Sequence, residues 1–343
     1  MKNLLQKSWL SRGWLACFLL PLAWIHGLAV SVRRELYRLG FFKSEQFPVA
    51  VMVVGNVVAG GAGKTPLVIA LARHLQVQGH RVGMVSRGYG RSGDDTLEVG
   101  TETSIEMSGD EPALIRRATA APVFVANKRA DAVRALLAAY PDTSAVLCDD
   151  GLQHYALQRD IEIAAFDERG IGNGWLLPAG PLREPWPARL HQGVDFVVHT
   201  GQASAFAGFT SRRQLADYAV AANGDRIALA ALNGCAVSAV AAIAQPEAFF
   251  SMLRQRGIIL QKTVALPDHD DFSDFNFSSW AGQTVLCTEK DAVKLFTLPD
   301  SSKTNLLAVP LEFFPEPAFL AALDARLAQV ISQLPSRHGH QTS

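Results

Sequence analysis

The sequence predicts an α/β fold: a parallel β-sheet with helices on both faces, followed by a smaller second α/β domain. In the first half, short runs of β-branched and apolar residues alternate with helical segments. A glycine-rich loop joins the first of these runs to a helix, and a second alternation begins beyond about residue 200. The chain has 343 residues, of which 49% are hydrophobic and 19% charged, so it can bury a core and is not a disordered chain.

Charge and cysteine content exclude several classes of protein. The 32 basic residues balance 32 acidic ones, so we expect no nucleic-acid partner drawn by net charge. Cysteines stand far apart and form no CxxC pair, at positions 17, 148, 235 and 287. This spacing argues against a structural zinc site or a disulfide framework and favours a reducing compartment.

The N-terminal 38 residues are predicted to be an apolar, membrane-associating segment. Residues 13–32 contain no charged side chain and match the length of a bilayer core. A secretory signal peptide is disfavoured, because no clean small-x-small cleavage site follows the apolar run and charged residues come directly after it. A transmembrane anchor fits by length, but Pro21 lies near its centre and basic residues flank both sides equally.

We favour a monotopic attachment, in which short helices broken at Pro21 lie in the interface with tryptophans at headgroup depth. These tryptophans are Trp9, Trp14 and Trp24. The remaining alternative is a soluble helix buried in the core.

A phosphate-binding loop follows the first predicted strand, residues 47–54. GNVVAGGAGKTP comes directly after that strand and before a helical pattern. Its glycines let backbone N–H groups converge on phosphate, Lys64 can reach the terminal phosphates, and the Thr65 hydroxyl can ligate Mg²⁺. The strict pattern requires glycine where this chain has Val58, so the loop is a variant. The order of strand, glycine loop and helix still predicts a P-loop NTPase-like sheet. The predicted nucleotide-binding residues are Val58, Ala59, Gly60, Gly61, Ala62, Gly63, Lys64 and Thr65.

Two adjacent carboxylates end another predicted strand, at residues 145–148. Asp149 and Asp150 would lie at the carboxyl edge of the sheet, where ligands bind. Adjacent carboxylates repel unless a cation offsets them, which favours Mg²⁺. The alternative is an exposed turn that caps a helix. No complete guanine-specificity motif is found, so ATP is the expected nucleotide.

Other polar clusters follow apolar runs, and each has a structural alternative. Arg87 and Arg91 lie in a glycine-rich loop that could meet a phosphate, or they are solvated. Asp110 and Glu111 precede a helix, where acidic residues also complement the helix dipole. His269 stands among three aspartates, which could raise its pKa or mark a surface turn.

The ordered motifs resemble the tetraacyldisaccharide 4'-kinases of lipid A biosynthesis over positions 1 to about 335. The resemblance rests on the phosphate loop and on SRGYGR (86–91), SGDEP (108–112), DDGLQH (149–154), PAGPLREP (178–185), DH (268–269) and TEKDAVK (288–294). It implies a transferase that moves the γ-phosphate of ATP, with Mg²⁺, to the 4'-hydroxyl of tetraacyldisaccharide 1-phosphate, giving lipid IVA. Because this amphiphilic acceptor stays in the bilayer, it also implies work at the cytoplasmic face of the inner membrane.

By resemblance, Asp110 looks like the base for the 4'-hydroxyl and His269 like its partner, while Lys64 acts on the phosphates. The candidate Mg²⁺ ligands are Thr65, Glu111, Asp149 and Asp150, with Asp150 placed ahead of Asp149. Substrate or phosphate contacts are expected from Arg87, Arg91, His154 and Arg183.

The predicted domains are a kinase core at 39–200, a smaller lid domain at 201–335 and a disordered tail at 336–343. With Asp110 in the core and His269 in the lid, the domains must close to assemble the site. The alternative function is a membrane-associated P-loop ATPase switch that acts on a protein partner; it has no need of the second domain, DH or PAGPLREP.

Overall fold

The computed structural model describes residues 8–60, 63–100, 102–187, 194–201, 204–268, 270–299, 301 and 304–334. We call the part built on the first sheet the first lobe and the part built on the second sheet the second lobe. The elements up to the end of the first sheet are α1 (Trp14–Phe18), α2 (Leu20–Arg38), β1 (Ala50–Gly55), α3 (Lys64–Val77), β2 (Val82–Ser86), β3 (Leu97–Glu98), α4 (Ile105–Ser108), α5 (Asp110–Thr119), β4 (Val123–Val125), α6 (Arg129–Ala139), β5 (Ala145–Asp149), β6 (Ile161–Phe166) and β7 (Phe196–His199).

The remaining elements are β8 (Ser211–Leu215), β9 (Tyr218–Ala221), β10 (Arg226–Ala228), β11 (Val237–Ala241), α7 (Pro246–Gln255), β12 (Leu260–Ala265), β13 (Thr284–Thr288), α8 (Glu289–Leu295), β14 (Asn305–Val309), β15 (Leu311–Pro315) and α9 (Pro317–Gln333). Short 3₁₀ turns lie at Leu229–Leu232 and Phe277–Trp280.

The first sheet has seven strands in the order β3-β4-β2-β5-β1-β6-β7, and β3 alone runs antiparallel to its neighbour. Strands β1, β2, β4, β5 and β6 are buried along their whole length, which is why they read as continuous apolar runs. Helix α3 packs on one face of this sheet and α6 on the other. The predicted fold class is confirmed, and β1 and β5 overlap the two strands predicted at residues 47–54 and 145–148.

The second sheet has six strands in the order β10-β9-β14-β13-β11-β12, and the predicted second alternation is confirmed. Strands β14, β13, β11 and β12 are parallel, while β9 is antiparallel to β14. A further strand, β8, begins at Ser211 in the polar stretch before the second alternation and pairs with β15. The local pattern does not indicate this strand, because it contains two arginines and its partner β15 lies about a hundred residues further along the chain.

The last helix, α9, returns to the first lobe. Its side chains Phe319, Leu323 and Leu327 are buried in the same core as the helix that follows the phosphate loop. Arg326 Nε lies 3.0 Å from Asp195 Oδ1, also in the first lobe. The domain boundaries stay a prediction, and the predicted tail at 336–343 lies outside the described residues. Any division of the chain into domains has to allow for the packing of α9 on the first lobe.

The N-terminal helices leave their apolar side chains exposed. Helix α1 ends before Leu19, and Pro21 lies in the first turn of α2, where proline is tolerated, so the predicted break at this proline is confirmed. Trp14 is 82% exposed and Phe18 77%. A helix buried in the core is therefore the wrong interpretation. Within the described part of the chain, no helix has both the length and the apolarity required to span a bilayer.

Candidate active site

Two glycines of the phosphate loop adopt backbone conformations that would strain other residues. Gly63 adopts a φ of 66° at the start of α3, and a Cβ atom there would lie 3.1 Å from Thr200 Oγ1. A Cβ atom on Gly60, whose φ is 102°, would lie 3.2 Å from Arg169 Nη1. Gly61 and Ala62 lie outside the described residues. The helix that begins at Lys64 directs its first N–H groups towards the loop, which suits an anion.

Lys64 is held in place by two side chains of the protein. Its Nζ donates to Asn56 Oδ1 at 3.3 Å and lies 3.3 Å from Asp150 Oδ1. The Asn56 amide donates to the Gly60 carbonyl at 3.0 Å, so one side chain braces both the loop and the lysine. Sequence reasoning missed Asn56, although it stands inside the quoted loop motif.

Asp150 turns out of strand β5 towards the cations of the site. Its φ is 49°, in the left-handed region that aspartate tolerates better than most residues. It lies 3.3 Å from both Lys64 Nζ and Arg183 Nη1. Partial burial by itself would raise the pKa of Asp150, but the charges of Lys64 and Arg183 outweigh it and lower that pKa. The carboxylate is ionised at neutral pH.

Asp149 has the opposite environment. It is 1% exposed, and neither carboxylate oxygen has a hydrogen-bond partner among the described residues. Burial, followed by the negative charge of Glu111, raises the pKa of Asp149 to about 8. Such a carboxylate is destabilising unless a cation neutralises it.

These residues fit a magnesium ion shared with nucleotide phosphates. Nowhere in the described ranges do three or more acidic, histidine or cysteine side chains form a ready-made metal cluster. Mg²⁺ requires less than that, because it keeps several waters and is held by one or two carboxylates together with substrate phosphates. The oxygen donors suited to it are the unsatisfied Asp149 carboxylate, Glu111 near it, and the buried hydroxyl-bearing Thr65 in the first turn of α3.

A cluster of arginines surrounds His154. Its Nε2 accepts a hydrogen bond from the Arg129 backbone N–H at 3.2 Å. Burial, followed by the positive charges of Arg129, Arg33, Arg159 and Arg87, lowers the pKa of His154 to about 4. A neutral imidazole among so many cations is a place where an anion is stabilised. Sequence reasoning missed Arg129, whose guanidinium also donates to the Asp150 carbonyl at 2.8 Å.

Two of the predicted loops pack directly on each other. A Cβ atom on Gly88 would lie 2.7 Å from the Ser108 carbonyl oxygen, and one on Gly109 would lie 3.0 Å from the Tyr89 carbonyl oxygen. Both glycines have positive φ, so they allow the SRGYGR loop to approach the start of α5. Beside this contact is a cavity of about 260 Å³, lined by Arg87, Gly88, Tyr89, Gly90, Arg91, Gly93, Asp94 and Asn127.

Asp110, at the start of α5, contacts the second lobe. Its Oδ2 lies 2.8 Å from the Nζ of Lys294, which belongs to α8. His269 lies outside the described residues, so its pairing with Asp110 and the domain closure built on it stay predictions. Sequence reasoning also missed Lys294, although TEKDAVK ends on it.

The family model for tetraacyldisaccharide-1-P 4'-kinase matches residues 15–328. The chain belongs to this family. A relative from Polaromonas naphthalenivorans, named tetraacyldisaccharide 4'-kinase, is 68% identical over the full length of both chains. One of the same name from Acidovorax ebreus is 51% identical, covering 96% of this chain and 95% of the relative. The resemblance inferred from the motifs is confirmed.

A solved structure of another family member has the same fold. LpxK from Aquifex aeolicus, determined in complex with ATP, is 29% identical to this chain with a TM-score of 0.79. The match covers 92% of this chain and 99% of that one. Family and fold therefore agree along nearly the whole chain.

Proposed function

We propose that this protein is a kinase that transfers the γ-phosphate of ATP to the 4'-hydroxyl of tetraacyldisaccharide 1-phosphate, forming lipid IVA in lipid A biosynthesis. The observation that carries the proposal is the junction of the phosphate loop with the carboxylate pair. Lys64 Nζ lies 3.3 Å from Asp150 Oδ1, while both carboxylate oxygens of the neighbouring Asp149 are buried without a hydrogen-bond partner among the described residues. Family membership supplies the acceptor class.

On the donor side, Asp149, Glu111 and Thr65 would hold Mg²⁺. When bound there, the ion would supply neutralisation of the phosphate charge. Lys64 holds the terminal phosphates and Asp150 keeps that lysine oriented. Asp149 takes precedence over Asp150 as the direct ligand, since the oxygens of Asp150 already meet Lys64 and Arg183.

On the acceptor side, Asp110 is the proposed base, with His269 as its partner. The carboxylate accepts the proton of the 4'-hydroxyl while the new oxygen–phosphorus bond forms and the bond to the bridging β–γ oxygen breaks, releasing ADP. The start of α5 is a suitable place for this group, because Gly109 packs on the SRGYGR loop and brings Asp110 near the arginine-lined cavity.

The phosphate that the acceptor already carries has a matching surface. Arg87 and Arg91 line the cavity beside Asp110, and Arg87 also contributes to the positive field around His154. We assign these three residues to contacts with the phosphorylated sugar. Arg183 is assigned to the transferring phosphate because it lies at Asp150.

The exposed faces of α1 and α2 are the proposed membrane attachment, monotopic and on the cytoplasmic side where ATP is found. Trp14, Phe18 and Trp24 are each more than half exposed, as interfacial side chains must be. The attachment is physically joined to the site, because His26 Nε2 on α2 lies 3.0 Å from the Arg183 carbonyl oxygen. An enzyme so placed reaches its acceptor without extracting it from the bilayer.

The test is transfer of label from γ-labelled ATP with Mg²⁺, in detergent, to tetraacyldisaccharide 1-phosphate, beside a reaction without lipid. Labelled lipid that forms only with the acceptor supports the kinase. Label released only as free phosphate, with or without lipid, would instead support the P-loop ATPase switch acting on a protein partner.

A further inference from the structure

A mostly buried ion pair links the two lobes. Lys294 Nζ lies 2.8 Å from Asp110 Oδ2, and the two side chains are only 15% and 12% exposed. The same ammonium donates to the Asp270 carbonyl oxygen at 3.0 Å. One side chain thus joins the first-lobe carboxylate to the second-lobe segment that directly follows position 269.

Helix α8 holds that segment on both sides of position 269. Lys290, one turn before Lys294, lies 2.9 Å from Asp268 Oδ1. Because residues four apart share a helix face, both lysines of TEKDAVK reach the same segment. Lys294 differs from Lys290 in that it also reaches Asp110 across the lobes.

The helix that carries Lys294 is itself firmly placed. The Thr288 hydroxyl accepts the Asp291 backbone N–H at 3.2 Å and caps α8. The Asp291 carboxylate, 2% exposed, accepts the Ala242 N–H at the end of β11 at 3.1 Å. The backbone of Lys294 is therefore fixed in position. A charge-assisted hydrogen bond from a side chain held in this way sets the orientation of its acceptor.

We propose that Lys294 is a positioning residue for phosphoryl transfer. It fixes the Asp110 carboxylate and the segment around position 269 relative to each other, so that the base is aligned with the acceptor hydroxyl. The inference rests on the proposed function, in which Asp110 is that base. Misplacing a reacting group by about 1 Å can cost about 10²-fold in rate, so loss of this bridge should be visible in kcat.

A double-mutant cycle tests the inference, using Lys294→Met and Asp110→Asn separately and together, with kcat, the KM for ATP and the KM for tetraacyldisaccharide 1-phosphate measured for each. Lys294→Met should lower kcat about tenfold or more while the KM for ATP changes less than about twofold. In the Asp110→Asn background, the same change should cost less than about twofold, since a residue that acts through another has little left to act on. Lys294→Arg should recover part of the lost kcat.

Equal losses in both backgrounds would overturn the inference and leave the base assignment intact. Wild-type turnover by Asp110→Asn would overturn both. Lys262→Met is the matched control, because this second-lobe lysine lies 4.2 Å from the Trp280 ring centre and should keep its kcat. If Lys294→Met fails to fold, Lys294→Gln, which can still donate to the Asp270 carbonyl, replaces it in the cycle.

Discussion

The donor side and the acceptor side of this site are built in different ways. The donor side comes mainly from two neighbouring strands, β1 and β5, and from the loops that leave their carboxyl ends, with Glu111 added from α5. The acceptor side joins α5 of the first lobe to α8 of the second, about 180 residues later along the chain. In the proposed mechanism, nucleotide binding therefore depends mostly on residues that are close together in the sequence, whereas acceptor chemistry depends on packing between the lobes.

Lys64→Ala should give the largest effect. This lysine pairs with Asp150 and is the proposed phosphate contact, so ATP affinity and turnover should fall together, with kcat/KM lower by at least about 10³-fold. Steady-state kinetics with an ATP titration measures both. A variant that keeps ATP affinity would break the assignment of this lysine to the donor side.

Asp110→Asn should damage turnover alone. General-base catalysis contributes about 10²-fold or more, so kcat should fall by at least that factor. The measurement is transfer from γ-labelled ATP at saturating acceptor, with Asp142→Asn as the control, since this exposed carboxylate pairs with Arg81 and has no part in the proposed site. Near-normal transfer would remove Asp110 from the role of base.

Asp149→Asn should stabilise the protein when magnesium is absent. The folded-state pKa of Asp149 is raised to about 8, so folding favours the protonated carboxyl. The unfolded group ionises near pH 4, so its contribution to stability falls as pH rises from about 4 to about 8. With EDTA at pH 8, the variant should exceed the wild type by about 1–3 kcal/mol in free energy of unfolding.

The same comparison at pH 5, where Asp149 is protonated, should give a much smaller difference. Denaturant unfolding measures all four values. A variant that is no more stable than the wild type at pH 8 would show that the buried carboxylate already has a satisfying partner.

Phe18→Ser should weaken membrane binding about tenfold. Full burial of a phenylalanine side chain is worth about 1.5–3 kcal/mol, and this one is 77% exposed in the protein. Vesicle co-sedimentation measures the change. Val77→Ser, which removes an equally exposed apolar side chain on α3, is the control and should bind like the wild type. Equal losses in both variants would break the assignment of α1 as the attachment.

The smallest expected effect is a change in the pKa of His154 when the acceptor binds, which would locate the phosphate that the acceptor carries. Its pKa of about 4 reflects burial and nearby arginines, so a bound phosphate should offset those charges and raise the pKa towards its ordinary value of about 6.5. An NMR titration of the histidine signals with and without tetraacyldisaccharide 1-phosphate checks this. An unchanged pKa would place the acceptor phosphate elsewhere.

The sequence predicts the donor side well because its signals are contiguous. Glycines, Lys64 and Thr65 follow one apolar strand, and Asp149 and Asp150 follow another. Even here the pattern does not distinguish the two aspartates, because the positive φ of Asp150 and the unsatisfied oxygens of Asp149 arise from the fold.

The rest could not be read from local pattern. Lys294 meets Asp110 only through the packing of two distant helices. Arg129 donates to the Asp150 carbonyl only because α6 starts beside the end of β5. Strand β8 was missed for the same reason, since its partner β15 lies far along the chain. Family membership, by contrast, followed from the order of the motifs.

The most direct test of the difference between the two sides is the affinity of the Asp110→Asn protein for ATP in the presence of Mg²⁺, measured by equilibrium titration beside the wild type and Lys64→Ala. We predict that Asp110→Asn binds ATP within about twofold of the wild type, while Lys64→Ala loses at least about tenfold, or ~1.4 kcal/mol. A tenfold loss in Asp110→Asn would contradict the account, because the acceptor side would then be part of the nucleotide site.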